Sequence, residues 1–161
     1  MYKIVSWAAV IVWILVIFNL SAQVAEQSNQ LSTEVTEIVA GTVGKVKPDA
    51  EIDIRNLNHI IRKNAHFFCY LVLGLLAVNA FRRSGFIFLK SLIFSFLLCA
   101  IYAVSDEIHQ MYVPGRGAQT ADVLIDCSGA VAGLFLYWLT ASLLGFKRRR
   151  KEIEFRMQPG D

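Results

Sequence analysis

The chain has 161 residues, of which 55% are hydrophobic, and its formal net charge at pH 7 is +3. That length is too short for two ordinary domains, and a mean hydropathy of +0.48 is too high for an ordinary water-soluble one. We therefore expect an integral membrane protein. The three cysteines, Cys69, Cys99 and Cys127, lie within apolar runs, so we interpret them as small buried hydrophobic residues rather than as disulfide partners.

The first apolar run covers residues 4–20 and is long enough, as a helix, to approach the thickness of a bilayer core. A signal peptide is the alternative. The run is longer than the usual apolar region of a signal peptide, and no clear pair of small residues marks a cleavage site after it. We favour an uncleaved first transmembrane helix at about residues 4–22.

Residues 23–58 form the main polar segment, in which acidic residues outnumber basic ones. Apolar residues recur in it at intervals of three and four, namely Leu31, Val35, Ile38, Val39 and Val43. This pattern fits an amphipathic helix at the bilayer surface, and a solvated helical loop fits it equally well. Gly44 and Pro48 end the pattern, after which a helix starting near Ile54 is expected to run into the next span.

Three further apolar runs predict transmembrane helices at about residues 63–81, 86–105 and 123–145. The predicted fold is therefore an all-α, polytopic bundle of four transmembrane helices, with a polar or amphipathic outer loop between the first two. We expect one membrane domain over residues 1–161 that ends in a basic cytoplasmic tail at 147–161. The tail is interpreted as a topology anchor on anionic lipid, not as a nucleic-acid-binding arm.

Lysine and arginine positions predict that both termini lie on the cytoplasmic side of the membrane. Lys3, Arg82, Arg83 and the basic tail would then be inside, and the acidic segment outside. Arg62 and Lys63 oppose this bias at the outer end of the second span, which suggests that they have an anionic partner.

This topology brings to one leaflet the polar residues of three spans, whose side chains are unfavourable in lipid. Several of them recur at helical spacing, so each span has one polar stripe, and the stripe of Asp126 continues into Gly129 and Gly133, where another helix can approach closely. We expect an outward-facing polar pocket whose binding residues are Arg62, Lys63, His66, Tyr70, Asp106, Glu107, His109, Gln110, Arg116, Asp122 and Asp126.

The motifs resemble those of the VanZ-like family of small bacterial membrane proteins over roughly residues 21–144. The resemblance is carried by Ile61-Arg62-Lys63-Asn64-Ala65-His66, Ser105-Asp106-Glu107-Ile108-His109-Gln110 and Asp122-Val123-Leu124-Ile125-Asp126. It implies an envelope role on the outer face of the cytoplasmic membrane, linked through the founding member to tolerance of the glycopeptide teicoplanin, and it supplies no established reaction. Many relatives have an asparagine where this chain has Asp126.

Three functions fit these residues. The polar residues can form a structural network in which Arg62, Lys63 and Arg116 pair with the acidic groups. They can instead bind an anionic lipid or a lipid-linked cell-wall precursor. An enzyme acting on a lipid phosphate or acyl group would draw its acid and base from His66, Asp106, Glu107 and His109, although the sequence has no nucleophile motif.

We expect no cofactor and no metal. His66, His109 and the nearby carboxylates are acceptable metal ligands, and Asp106 and His109 share a helix face. However, neither a His-x-x-x-His motif nor a paired-cysteine motif is present. The expected partner is the lipid bilayer, and the oligomeric state is left open.

Overall fold

The computed structural model of the chain describes residues 2–22, 54–114 and 119–157. These residues form the helices α1 (Tyr2–Ser21), α2 (Ile54–Arg83), α3 (Phe88–Gln110) and α4 (Thr120–Met157). The predicted all-α fold is confirmed, and α2 begins at Ile54 as expected. The predicted outer loop between α1 and α2 lies almost entirely outside the described residues.

Each helix contains a segment that is long and apolar enough to cross a membrane: Tyr2–Ser21, Ile60–Arg83, Phe88–Gln110 and Thr120–Leu144. Large apolar side chains such as Ile4, Ile101 and Leu124 are 74%, 67% and 71% exposed, as expected for side chains that face lipid. The chain is therefore a multi-pass membrane protein, and its described residues contain the four predicted transmembrane helices.

The third and fourth helices extend further into polar sequence than the predicted third and fourth spans do. The third predicted span ended at residue 105, whereas α3 continues to Gln110 and buries Asp106, Glu107 and Gln110 inside the bundle. The predicted fourth span started at residue 123, whereas α4 starts at Thr120. Burial against neighbouring helices lets charged residues stay within a span that hydropathy alone would end.

Helices α2 and α4 pack in direct backbone contact through glycines. A Cβ atom at Gly129 would lie 2.2 Å from the carbonyl oxygen of Phe67, and one at Gly133 would lie 2.2 Å from that of Leu71. On the other helix, a Cβ at Gly74 would lie 2.8 Å from the carbonyl oxygen of Ala130. The predicted close approach at Gly129 and Gly133 is confirmed, and α2 is the helix that approaches.

Helix α1 is joined to α2 and α3 by hydrogen bonds from aromatic side chains. The indole of Trp13 donates to the carbonyl oxygen of Cys69 at 2.9 Å, and the Tyr102 hydroxyl donates to the carbonyl oxygen of Ile14 at 2.9 Å. Such bonds help to hold transmembrane helices together because lipid offers the donors no alternative partner.

A tight turn between α2 and α3 marks one end of the bundle. Gly85 has φ of +91°, a backbone conformation that glycine adopts without steric cost. The guanidinium of Arg83 lies 5.6 Å from the ring centroid of Tyr2, and the indole of Trp7 donates to the Ser84 hydroxyl at 3.0 Å. The start of α1 therefore lies beside this turn, at the end of the bundle opposite the predicted polar residues.

Candidate functional site

Polar side chains from all four helices meet at the other end of the bundle, which we call the polar end. It is formed by the last residue of α1, the first half of α2, the last turns of α3 and the first turns of α4. Its members are Ser21, Arg62, Lys63, His66, Tyr70, Asp106, Glu107, His109, Gln110, Asp122 and Asp126. The up-and-down course of the helices brings these segments together although they are far apart in sequence.

His66, Asp106 and Asp126 form the centre of the polar end, and we call them the buried triad. One ligand-type atom from each of them lies within 4.8 Å of the corresponding atoms of the other two. Asp106 is 3% exposed and Asp126 is 2% exposed. The triad takes one residue from each of α2, α3 and α4, so it forms only when these three helices pack together.

The two oxygens of the Asp106 carboxylate have different surroundings. Oδ2 accepts a hydrogen bond from the Ser21 hydroxyl at 2.8 Å and another from Gln110 Nε2 at 3.2 Å. Oδ1 is buried and has no hydrogen-bond partner among the described residues. The side chain is therefore held in place through one oxygen while the other is left available.

Asp126 and His66 face each other across the α2–α4 contact. Nδ1 of His66 lies 3.5 Å from Oδ1 of Asp126, and the His66 side chain is 20% exposed. That oxygen of Asp126 is buried and accepts no hydrogen bond within the described part of the chain. Gly129 lies one turn further along α4. Because it has no Cβ atom, the two helices can approach each other closely here.

Tyr70 lies one turn beyond His66 on the same face of α2. Its side chain is 0% exposed, and its hydroxyl has no hydrogen-bond partner in the described segments. The Asp106 and Asp126 side chains lie near this hydroxyl but do not bond to it. Leaving a buried hydroxyl without a hydrogen-bond partner is unfavourable, so its position next to the triad indicates that a partner is missing there.

No lysine or arginine in the described segments lies within 4.0 Å of Asp106 or Asp126. Two unit negative charges about 5 Å apart repel each other by about 3 kcal/mol at an effective dielectric constant of about 20. The triad therefore needs a positive charge or a shared proton if the bundle is to remain packed around it.

Cationic side chains lie at the rim of the polar end. Lys63 Nζ is 3.7 Å from Asp122 Oδ1, with the two side chains 28% and 19% exposed. Arg62 is half-buried and forms no ion pair with any described residue. Part of the predicted network is thus formed, by Lys63 and Asp122, while Arg116 lies outside the described residues.

Glu107, His109 and Gln110 surround the triad without joining it. Glu107 accepts a hydrogen bond from the backbone N–H of Gln119, just before α4 begins. The His109 ring packs against Phe18 of α1, with ring centroids 4.7 Å apart. Of the four residues expected to supply acid and base, the structure brings His66 and Asp106 together and places Glu107 and His109 beside them.

Sequence reasoning missed Ser21, which ends the first apolar run and is not among the predicted binding residues. Its hydroxyl contacts a carboxylate that is 85 residues away in the chain, which no local pattern reveals. The sequence left open whether His66 or His109 joins the aspartates, and the structure places His66 of α2 in the triad.

The chain matches a protein-family model. The sequence model of the family described as VanZ/LLP1 matches residues 6–142, which contain the second and third predicted spans, most of the first and fourth, and the whole polar end. No curated protein and no solved structure matches the chain.

Proposed function

The chain belongs to the VanZ/LLP1 family, and we propose that it acts in the bacterial cell envelope by binding the phosphate-bearing head of an anionic lipid or a lipid-linked cell-wall precursor. The ligand head would bind at the polar end of the bundle, with the ligand chain in the surrounding lipid. The expected binding residues are those predicted from the sequence, with Arg62 and Lys63 making the first contact.

The observation that carries this proposal is the position of Arg62 and Lys63 at the rim of the polar end. Both lie on the first turns of the membrane-spanning part of α2, directly before the turn that carries His66. Lys63 has one partly exposed carboxylate partner, and Arg62 has none among the described residues. Cations that are accessible and incompletely paired at the membrane surface are suited to binding phosphate.

An apolar groove supports a lipid ligand rather than a free anion. It runs between α1 and α3, has a volume of about 520 Å³ and is lined by Ile14, Leu98, Ile101, Tyr102 and Ser105 among others. Ser105 directly precedes Asp106, so the groove leads towards the polar end. An acyl or isoprenoid chain lying in this groove would keep its head group near the rim cations.

The proposal includes a location and an orientation. We assign the protein to the bacterial cytoplasmic membrane, with both termini in the cytoplasm and the polar end facing outward. The basic residues Lys3, Arg82, Arg83 and Lys90 and the basic tail would then lie on the cytoplasmic side. Wall precursors and glycopeptide antibiotics both meet the membrane on the opposite side, where the polar end would be.

Teicoplanin tolerance would follow if the protein changes how much lipid-linked precursor the drug can reach. We expect a bacterium that produces this chain to tolerate more teicoplanin than the same strain without it, and Lys63→Met to abolish the difference. Measurement of the minimum inhibitory concentration in matched strains tests this, with immunoblotting to show equal amounts of the two proteins.

The binding proposal itself is tested with purified protein. Thermal unfolding would be followed in detergent with added undecaprenyl phosphate, undecaprenyl pyrophosphate or phosphatidylglycerol, and with undecaprenol as the uncharged control. A ligand at about 100 times its Kd stabilises the folded state by about 2.7 kcal/mol. We expect the phosphate-bearing lipids to raise the unfolding temperature and undecaprenol to have little effect.

Two charge-matched variants locate the binding site. Lys63→Met removes a cation from the polar end, and Lys90→Met removes one from the opposite end, where the side chain is exposed. We expect the shift caused by the ligand to be lost in Lys63→Met and retained in Lys90→Met. Equal shifts in both variants, or equal shifts with undecaprenol, would contradict the proposal.

A second candidate function is acid–base catalysis on a lipid phosphate or acyl group. The observation that favours it is the facing pair of His66 and Asp126, since a histidine that is oriented by a carboxylate is a common general base. Release of phosphate or fatty acid from the lipids that bind, and its loss in a folded His66→Gln variant, would distinguish catalysis from binding alone.

A further inference from the structure

We propose that His66, Asp106 and Asp126 together bind one divalent transition-metal ion, of the class of Zn²⁺ or Mn²⁺, inside the helix bundle. This inference goes beyond the proposed lipid binding and does not depend on it, because it rests on the buried triad rather than on the rim cations. The sequence offered both His66 and His109 as ligands beside the carboxylates, and the structure places His66, from a different helix, next to Asp106 and Asp126.

The residue types and the spacing of the triad suit such an ion. Imidazole nitrogen combined with carboxylate oxygen favours zinc, manganese or iron over calcium and magnesium, which prefer oxygen ligands alone. Zinc ligands lie about 2.0–2.2 Å from the ion, so two of them are at most about 4.4 Å apart. His66 Nδ1 and Asp126 Oδ1 are already 3.5 Å apart. One ligand-type atom from each of the three residues lies within 4.8 Å of the others, so a closure of about 0.4 Å brings the whole set to that spacing.

Buried atoms without partners point to a missing ligand at the same place. Oδ1 of Asp106 and the Tyr70 hydroxyl are buried without a hydrogen-bond partner among the described residues, and the buried Oδ1 of Asp126 has only His66 Nδ1 nearby, at 3.5 Å. The Tyr70 side chain is 0% exposed, and it is not one of the proposed ligands. A bound ion would satisfy the two carboxylate oxygens, and water on the ion would give the Tyr70 hydroxyl a partner.

Hydrogen bonds around Asp106 support the arrangement expected of a metal ligand. Ser21 and Gln110 both donate to Oδ2. They hold the carboxylate in one orientation, in which Oδ1 is available to bind an ion. Metal-binding carboxylates are commonly held by such outer hydrogen bonds, and loss of one typically weakens metal binding about 10–100-fold.

A divalent cation is one way to supply the positive charge that the triad needs, besides a proton shared between its two carboxylates. A protonated His66 leaves the triad with a net charge of −1 if both aspartates are ionised. A divalent cation with neutral His66 brings the net charge to zero, and no lysine or arginine within 4.0 Å in the described segments does so. A divalent cation therefore neutralises both buried carboxylates at once.

The first test measures metal binding to the full chain purified without a polyhistidine tag. The protein would be stripped of metal with a chelator, and titrated separately with Zn²⁺, Mn²⁺, Mg²⁺ and Ca²⁺ by calorimetry in detergent. We expect one equivalent of Zn²⁺ or Mn²⁺ to bind per chain, and Mg²⁺ and Ca²⁺ to bind at least tenfold more weakly. Binding well below one equivalent, or no preference for the transition metals, would overturn the proposal.

Isosteric variants identify the ligands. Asp126→Asn and Asp106→Asn should each weaken metal binding at least tenfold, whereas Asp122→Asn, which alters a carboxylate outside the triad, should not. Ser21→Ala should weaken binding about tenfold, through loss of an outer hydrogen bond. Unchanged affinity in a folded Asp126→Asn variant would show that the triad is a hydrogen-bonded network only, and would overturn the proposal.

A spectroscopic measurement can identify a ligand in the wild-type chain, so it does not require that the aspartate variants fold. Pulsed electron paramagnetic resonance of Mn²⁺ bound to the wild-type chain should show coupling to a histidine nitrogen. His109→Gln should retain this coupling and His66→Gln should lose it. Absence of nitrogen coupling in the wild-type chain, or its persistence in His66→Gln, would exclude His66 as a ligand and with it the proposed site.

Discussion

The Ser21 hydroxyl donates a hydrogen bond of 2.8 Å to the carboxylate of Asp106, 85 residues further along the chain. This bond fastens the end of α1 to the end of α3 inside the membrane domain. Asp106 is also the α3 member of the buried triad, so the position of the first helix and the orientation of the triad depend on the same contact.

Removal of this bond should lower the stability of the bundle. We expect Ser21→Ala to reduce the free energy of unfolding by about 1–3 kcal/mol, because a buried carboxylate oxygen loses a donor. Ser105→Ala is the matched control, since its hydroxyl is exposed and bonds to the carbonyl oxygen of Ile101 in its own helix. Unfolding in detergent monitored by circular dichroism measures both, and equal losses would contradict the prediction.

The glycine contacts between α2 and α4 predict a graded series. Gly129→Ala and Gly133→Ala would place a methyl group 2.2 Å from a carbonyl oxygen, so each should destabilise the protein by about 1–3 kcal/mol or more. Gly74→Ala, with a distance of 2.8 Å, should cost less. Ser128→Ala changes an exposed neighbour and should have little effect. Thermal unfolding of the four variants tests this order, and a Gly133→Ala variant as stable as Ser128→Ala would refute it.

Loss of the hydroxyl group should change the stability of the protein differently at two tyrosines. Tyr102 donates to the carbonyl oxygen of Ile14, so Tyr102→Phe should cost about 1 kcal/mol. The Tyr70 hydroxyl has no partner in the described segments, so Tyr70→Phe should be neutral or stabilising in chelator-treated protein. Unfolding of both variants beside the wild type measures the difference. A larger loss for Tyr70→Phe would show that its hydroxyl is bonded in the folded protein.

The orientation of the chain is testable in cells with single cysteines. In a chain whose three native cysteines are replaced by alanine, Tyr112→Cys reports on the polar end and Ile87→Cys on the opposite turn. Both positions are exposed, at 82% and 62%. We expect an impermeant maleimide to label Tyr112→Cys in intact cells and Ile87→Cys only after permeabilisation. The reverse pattern would place the polar end in the cytoplasm and contradict the proposed envelope role.

Much of the fold could be predicted because hydropathy and charge act locally along the chain. Runs of about twenty apolar residues predicted all four spans. The spacing of three and four residues between Asp126, Gly129 and Gly133 predicted a close helix contact. Span ends were less accurate. Hydropathy cannot register that Asp106 and Glu107 are buried against other helices, so the third predicted span ended five residues before α3 does.

The arrangement within the polar end depended on packing that the sequence does not specify. Helical spacing predicted which side chains share a stripe, but the rotation of each helix decides which stripes meet. This is why the sequence could not decide between His66 and His109 as the neighbour of Asp106, and why it did not reveal Ser21. In the structural alternative, Arg62, Lys63 and Arg116 pair with the carboxylates, and among the described residues Lys63 alone does so, with Asp122.

The glycine contacts also limit how the polar end can move. Because the carbonyl oxygens of Phe67 and Leu71 lie against Gly129 and Gly133, α2 and α4 cannot slide along each other by a helical turn without a side chain meeting backbone. His66 and Asp126 thus lie on one closely packed pair of helices. Widening of the triad is therefore expected to involve α3, which carries Asp106, and α1 would follow through the Ser21 hydrogen bond.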